Sequence, residues 1–128
     1  LKKNKVSIIF ESDFKPNILA KFIKNFNPKC FGINYDTGNS ASLNYDINKE
    51  FAYYGKFIKN IHIKDRLKYG NTVRLGKGNA NFKKLFNNLK MINYKGNLIL
   101  QTARSEEKQH LKEIKINLNY IKKFHNDN

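Results

Sequence analysis

The sequence has a single cysteine, no tryptophan and no long apolar run, and these scarcities exclude several classes of protein. Cys30 alone cannot form an internal disulfide or a cysteine-based zinc site, so a reduced, cytoplasmic setting is expected. No apolar run approaches the roughly 20 residues that a membrane span needs. Residues 1–5 are not followed by the apolar segment of a signal peptide. We therefore expect a soluble protein with no membrane partner.

Acidic residues are also scarce, with 10 against 25 basic ones, which gives a formal net charge of +15. Such an excess can serve nucleic-acid binding, because basic side chains neutralise phosphates and release counterions. However, the only arginines are Arg66, Arg74 and Arg104, and the guanidinium group is the one that phosphate and base recognition favours. The lysines are spread along the chain. We expect a solvated surface rather than a nucleic-acid-binding patch.

The apolar pattern alternates between strands and helices. Short β-branched and aromatic runs at 6–10, 30–35, 61–65 and 97–100 predict four strands. Apolar residues at three- and four-residue spacing predict a helix after each strand. The predicted stripes are Ile18, Leu19, Phe22, Ile23 and Phe26; Phe51, Tyr54, Phe57 and Ile58; Phe82, Leu85, Phe86 and Leu89; and Leu111, Ile114, Leu118 and Ile121. With 40% hydrophobic residues, the chain can bury one core as a single domain over 1–128.

Several segments between these elements have capping or loop signals. Asn48 and Asn81 are predicted to cap helices, and Ser105 followed by Glu106 and Glu107 predicts the start of the last helix. The small polar residues 37–42 predict a loop, and 67–79 a longer one.

A polar residue follows the apolar part of each predicted strand: Glu11, Asp36, His62 and Gln101. Strands separated by helices pair in parallel with right-handed crossovers. The spacing of these residues fits a small open sheet, and it equally fits half of a barrel that uses about 31 residues per strand and helix. The barrel is favoured because it brings the carboxyl ends of several strands around one mouth.

Four segments, in the same order, resemble motifs of the xylose isomerase-like TIM barrels, a family that includes sugar phosphate isomerases, epimerases and endonuclease IV-type repair enzymes. Residues 36–39 resemble its Asp-Thr-Gly-His/Asn turn, and 62–65 its His-x-x-Asp strand end. Residues 75–82 resemble Leu-Gly-x-Gly followed by Asp-Phe, and 94–98 a Tyr-x-Gly strand entry. The resemblance implies the C-terminal half of a (β/α)8 barrel, an α/β fold with four parallel strands alternating with helices.

The resemblance also implies a metal site. By position, the family's ligands fall on Glu11, Asp36, His62 and Gln101, and such donors suit Mn²⁺, Mg²⁺, Co²⁺ or Zn²⁺. The ion would polarise hydroxyl and carbonyl oxygens of a bound sugar. Glu11 and His62 are the implied catalytic residues, with Glu11 as the base. In the family's epimerases the Gln101 position is a proton-transferring Glu, whereas an amide cannot accept a proton at neutral pH.

Five further residues are predicted to bind substrate at the mouth: Asn39, Lys64, Asp65, Arg66 and Arg104. Asn39 stands where many relatives have His. For Asp65, two alternatives are accepting a loop N–H and orienting His62. The turn at 76–78 is either a phosphate-binding loop or a simple turn.

The implied function is a metal-dependent isomerase or epimerase of a sugar or sugar phosphate. The alternatives are a non-catalytic barrel that binds carbohydrate or nucleic acid, and a repair endonuclease, which Asn39 and Gln101 disfavour by replacing ligands. The implied partner is the N-terminal half of the barrel. Without it, the open face would expose Ile8, Ile33, Ile61 and Leu98 or their neighbours, so we expect the chain alone to associate, for instance as a homo-oligomer.

Overall fold

The computed structural model describes residues 6–105 and 108–126. Its main feature is a four-stranded sheet in the order β1–β2–β3–β6, in which every pairing is parallel. The strands are β1 (Ile8–Phe10), β2 (Phe31–Asp36), β3 (Ile58–Ile63) and β6 (Asn97–Leu100). A short antiparallel pair, β4 (Asp65–Arg66) and β5 (Thr72–Val73), lies between β3 and β6 in the chain. The predicted alternation of parallel strands and helices is confirmed.

The helices are α1 (Pro16–Ile23), α2 (Thr37–Ser42), α3 (Ile47–Tyr54), α4 (Phe82–Met91) and α5 (His110–Asn126). They pack against one face of the sheet. Successive strand residues point to opposite faces, so every second residue of β2 and β3 packs against the helices. The core joins Ile33 and Tyr35 of β2 and Ile61 and Ile63 of β3 to buried residues of the helices, among them Leu19, Ile23, Phe51, Leu85 and Leu89. Each large aliphatic side chain buried there stabilises the fold by roughly 1.5–3 kcal/mol. None of these helices, within the part of the chain described, is long and apolar enough to cross a membrane.

The other face of the sheet is polar in its middle and open at its edges. Asn34 and Asn60 pair across β2 and β3, and Asn60 Nδ2 donates to Asn34 Oδ1 at 2.7 Å. At the edges, Ile9 is 41% exposed and Ile99 is 44% exposed. The residues predicted for the open face, Ile8, Ile33, Ile61 and Leu98, all lie on the helix-facing side by register, so their neighbours form the open face. Parallel sheets are normally covered on both faces, so this face is incomplete in the described residues.

One irregularity in β3 decides which residues share the polar face. Ile33 pairs with Ile58, but Asn34 pairs with Asn60, so Lys59 is an extra residue in β3. The stem of Lys59 lies over Gly32, where an added Cβ would be 2.6 Å from its Cγ. Beyond this bulge, Asp36 pairs with His62. A register without the extra residue would direct His62 to the helix-covered face.

Some predicted boundaries are wrong. Residues 37–42 form α2 rather than a loop, because Asp36 caps that helix by accepting the Asn39 N–H. Asp46, not Asn48, caps α3, whereas the Asn81 cap of α4 is confirmed. Phe57 and Ile58 lie beyond α3, in a 3-10 turn and at the start of β3.

The last helix differs from its prediction in start and in orientation. It begins at His110 rather than near Ser105, and the predicted charges Glu106 and Glu107 lie outside the described residues. Of the predicted stripe only Ile121 is buried, whereas Leu111, Ile114 and Leu118 are exposed. The buried positions one and two turns before Ile121 are Asn117 and Glu113. Their polar groups are satisfied by the segment after β5: Arg74 pairs with Glu113, and the Leu75 N–H donates to Asn117.

Candidate metal centre

Three side chains from three neighbouring strands meet at the carboxyl end of the sheet. Glu11 follows β1, Asp36 ends β2 and His62 lies near the end of β3, and each offers one ligand atom within 4.8 Å of the others. His62 Nδ1 is 3.4 Å from Glu11 Oε2 and 3.9 Å from Asp36 Oδ2. We call these three residues the carboxylate–histidine cluster.

The two carboxylate oxygens of Asp36 have different environments. Oδ1 accepts the backbone N–H of Asn39 at 2.8 Å and so caps α2. Oδ2 is buried and accepts no hydrogen bond. A buried carboxylate oxygen without a donor is costly, by about 1–3 kcal/mol or more for a charged group. The groups that face Oδ2 are His62 Nδ1 and Lys64 Nζ, the latter at 3.5 Å. The cap therefore leaves one oxygen of Asp36 directed at a position suited to a cation.

The side chain of Asn34 contacts two members of the cluster, Glu11 and His62. Its buried Nδ2 lies 2.7 Å from Glu11 Oε2 and 3.0 Å from His62 Nδ1. Since an amide N–H can only donate, the contact with Nδ1 is a hydrogen bond in the His62 tautomer that leaves Nδ1 without a proton. The sequence prediction missed Asn34. Its signal was the two-residue spacing to Asp36, which puts both side chains on the same face of β2.

A second set of hydrogen bonds holds Glu11 from the opposite side. Asn39 Nδ2 donates to Glu11 Oε1 at 3.3 Å, and Arg66 Nη1 donates to Asn39 Oδ1 at 3.1 Å. Arg66 is itself fixed, because its Nε and Nη2 both donate to the Gly70 carbonyl. The structure thus brings two of the predicted substrate-binding residues, Asn39 and Arg66, beside the cluster and connects them to it through Glu11.

Asp65 points away from the cluster. It is fully buried, and its carboxylate accepts the backbone N–H groups of Gly76, Gly78 and Ala80, each at 2.9 Å. Of the alternatives considered for Asp65, this geometry is that of the loop N–H acceptor. The same bonds occupy the N–H groups of the glycine turn at 76–78 that a phosphate would otherwise use.

The remaining two predicted residues lie after β6. The Gln101 N–H donates to the Ile63 carbonyl, one position beyond the paired Leu100. This puts Gln101 next to Lys64 in the ladder rather than next to His62, with an exposed side chain. Arg104 lines a groove together with Thr72, Arg74 and Lys112, none of which belongs to the cluster.

Behind Asp36, on the helix-covered side, lies a buried carboxylate that the sequence did not single out. Glu50 accepts hydrogen bonds from Tyr35 at 3.0 Å, from Tyr54 at 2.7 Å and from Ser40. Burial raises the pKa of Glu50, and the three hydroxyl donors oppose that rise. This network connects β2, α2 and α3 next to Asp36 in the chain, since Tyr35 precedes Asp36 and Ser40 lies in the helix that Asp36 caps.

The donor set of the cluster fits a divalent ion. Two carboxylates and one imidazole nitrogen suit Mn²⁺, Mg²⁺, Co²⁺ or Zn²⁺, and three protein ligands leave positions for substrate oxygens. The buried Oδ2 of Asp36, which lacks a donor, is the atom whose environment such an ion would complete.

The fold and the site together define a class of protein: half of a parallel α/β barrel that carries a polar cluster at the carboxyl ends of its strands. The family model of the xylose isomerase-like TIM barrel matches residues 7–124, so the chain belongs to that family. No curated protein matches the chain.

Three solved structures have a similar fold. A xylose isomerase domain protein from Planctomyces limnophilus has a TM-score of 0.80 at 21% identity, over 94% of this chain and 47% of that one. A D-tagatose 3-epimerase-like protein has a TM-score of 0.65 at 22% identity, over 96% of this chain and 49% of that one. A sugar phosphate isomerase/epimerase from Parabacteroides distasonis has a TM-score of 0.64 at 20% identity, over 80% of this chain and 34% of that one. This chain therefore spans about half or less of the length of the structures it resembles.

Proposed function

We propose that this chain is part of a metal-dependent isomerase or epimerase that acts on a sugar or sugar phosphate. The observation that carries the proposal is the convergence of Glu11, Asp36 and His62, with a buried Asp36 oxygen that lacks a donor. The similarity to structures named as sugar isomerases and epimerases supports the substrate class. The alternative of a repair endonuclease would need ligands for a cluster of several metal ions. The described residues contain one group of metal-ligating side chains, so this alternative gains no support from them.

In this proposal Glu11, Asp36 and His62 hold the ion, which would polarise a carbonyl and a neighbouring hydroxyl of the sugar. Glu11 is the base. Its side chain is 41% exposed, so substrate can reach it, and Asn34 and Asn39 hold its two oxygens in a fixed direction. Arg66 acts through Asn39 as a positioning residue.

A single proton-transferring carboxylate favours isomerisation over inversion of a stereocentre. In isomerisation Glu11 takes the proton from the carbon that bears the hydroxyl and returns it to the former carbonyl carbon on the same face. The hydroxyl proton moves to the carbonyl oxygen. Inversion requires a proton from the opposite face, and the amide of Gln101 can bind a hydroxyl there but cannot transfer a proton as a carboxylate does.

The proposed enzyme needs a complementary half. Strands β1 and β6 are the edges of the described sheet, and Ile9, Leu98 and Ile99 are exposed beside them. Because the chain spans about half of its structural relatives, we infer that four further strands and helices, from the N-terminal half of a barrel, cover these edges. The substrate would then lie between the halves, above the cluster.

Deuterium exchange into a sugar tests the proposal. The completed barrel is incubated with Mn²⁺ and a panel of aldoses, ketoses and their phosphates in deuterated water, and carbon-bound deuterium is followed by NMR. We expect exchange with at least one sugar, lost in Glu11→Gln and kept in Asp13→Asn, which removes an exposed carboxylate two residues away. Sugar binding without exchange would favour the non-catalytic alternative, and unchanged exchange in Glu11→Gln would exclude Glu11 as the base.

A further inference from the structure

One oxygen of the candidate metal centre lies beside the ammonium group of Lys64. Asp36 Oδ2 would bind the ion, and it also lies 3.5 Å from the ammonium nitrogen of Lys64. The same oxygen accepts no hydrogen bond, so the ammonium is near enough for charge pairing but does not complete the coordination of Oδ2. A divalent ion and Lys64 would therefore compete for the same atom.

The position of Lys64 is built by the fold. It lies two residues after His62, on the same face of the chain. Its backbone is clamped to α2, because the Thr37 hydroxyl accepts the Lys64 N–H at 2.9 Å and donates to the Lys64 carbonyl. Its stem lies against Gly38, where an added Cβ would be 2.6 Å from Lys64 Cγ. The side chain is only 18% exposed, so it is not a freely solvated surface lysine.

The positive charge of Lys64 has opposite effects in the metal-free and the metal-bound cluster. Without an ion, the cluster holds two carboxylates, and Lys64 offsets one of these charges at short range. With a divalent ion on Oδ2, the ammonium faces a like charge of twice its size. At a partly buried site, such a repulsion between neighbouring charges is large compared with thermal energy.

We infer that Lys64 is the internal counter-ion of the metal-free centre and that it sets the affinity for the metal. It stabilises the metal-free fold, and it withdraws from Asp36 when a divalent ion binds. The inference rests on the proposed metal site. It assigns to Lys64 a role in metal affinity, distinct from the substrate contact expected from the sequence.

Metal titration of charge variants tests this role. Lys64→Met keeps the stem over Gly38 and removes the charge, and Lys64→Arg keeps the charge. Lys56→Met is the matched control, because it removes one exposed positive charge just before the amino end of the same strand. We expect Lys64→Met to bind Mn²⁺ about tenfold tighter than the parent by calorimetry, and to melt at a lower temperature in chelator. Lys64→Arg should bind within a few fold of the parent, and Lys56→Met should match it.

A measurement on the unchanged protein guards against a variant that fails to fold. Acetylation of lysines by an activated ester is followed by peptide mass spectrometry with and without saturating Mn²⁺. We expect Lys64 to react several-fold faster with the ion present, because its ammonium loses Asp36, while Lys56 reacts at the same rate in both conditions.

The outcomes separate this inference from the proposed function. If the parent binds Mn²⁺ but Lys64→Met binds it no tighter, or if acetylation of Lys64 does not respond to the ion, Lys64 is not the counter-ion and the metal site stands. If neither the parent nor Lys64→Met binds Mn²⁺, both the metal site and the inference are wrong.

Discussion

Asp36 and His62 lie side by side because β3 contains one residue more than β2 in the paired stretch. The extra residue, Lys59, shifts the register so that His62 rather than Ile61 pairs with Asp36. Since side chains alternate between faces, this bulge turns His62 toward Glu11 and Ile61 toward the helices. The candidate metal centre thus depends on an irregularity of the backbone as well as on its three side chains.

Inserting one alanine after Asn60 should therefore abolish metal binding. With Asn34 still paired to Asn60, the inserted residue puts Ile61 opposite Asp36, so His62 turns into the helix-covered core and Ile61 loses its buried contacts. We expect a strong loss of thermal stability together with the loss of Mn²⁺ binding in a calorimetric titration. Lys59→Ala, which keeps the backbone length, should retain both. An insertion variant that bound Mn²⁺ like the parent would show that the register is unimportant for the site.

Asp65→Asn should destabilise the fold without removing the metal site. The carboxylate accepts three backbone N–H groups, and an amide presents a donor where one oxygen stood. Hydrogen bonds to charged groups are worth about 1.5–3 kcal/mol each, so we expect a loss of roughly 2–4 kcal/mol in the free energy of unfolding. Denaturant titration measures this loss. An unchanged unfolding free energy, or a loss of Mn²⁺ affinity in the folded variant, would contradict the structural role.

Two buried carboxylates should give opposite dependences of stability on pH. Burial raises the pKa of Glu50 above its usual 4.5, so its contribution to stability is fully present below pH 4.5 and is lost as pH rises through the raised value. The hydrogen bonds from Arg74 lower the pKa of Glu113, so its contribution is present above pH 4.5 and is lost as pH falls through the lowered value.

Unfolding free energies of the parent, Glu50→Gln and Glu113→Gln, measured from pH 3 to about 7, check both signs. The difference between parent and Glu50→Gln should shrink as pH rises above 4.5. The difference between parent and Glu113→Gln should shrink as pH falls below 4.5. Differences that do not vary with pH would show that neither carboxylate is perturbed by its surroundings.

The 128-residue chain by itself should associate. Both edges of the described sheet lack a neighbouring strand, and Ile9 and Ile99 are exposed on its open face. We expect analytical ultracentrifugation to show species larger than a monomer, and Ile99→Lys to reduce them by placing a charge on that face. A compact monomer that melts cooperatively would indicate a self-contained open sheet.

The positions of Asp36 and His62 near the ends of their strands could be predicted from local signals, whereas their assignment as metal ligands stays a prediction. Asp36 and His62 each follow a β-branched, apolar run, and strand alternation needs only neighbouring residues to be recognised. By contrast, α2 was missed because Thr, Gly, Asn and Ser have low helix propensity, and the helix depends on the Asp36 cap and on tertiary contacts.

The features that the sequence could not predict depend on distant partners. Asn117 and Glu113 turn inward because residues about forty positions earlier satisfy their polar groups, which overrides the apolar stripe of α5. Asn34 is important through Glu11 and His62, both more than twenty residues away. The role of Gln101 as a metal ligand remains a prediction, because its side chain is exposed at the sheet edge.

The most direct measurement of the central claim is a calorimetric Mn²⁺ titration of the parent, Asp36→Asn and Asp46→Asn. Asparagine is as good a helix cap as aspartate, so Asp36→Asn should keep α2 while removing the charge that faces the ion. Asp46→Asn is the matched control, because it changes the equivalent cap of α3 away from the cluster. We expect one ion per chain for the parent and for Asp46→Asn, and an affinity lower by about a hundredfold or more for Asp36→Asn, since neighbouring charges interact by roughly 4 kcal/mol. Equal affinities in all three proteins, or no binding by the parent, would contradict the metal centre.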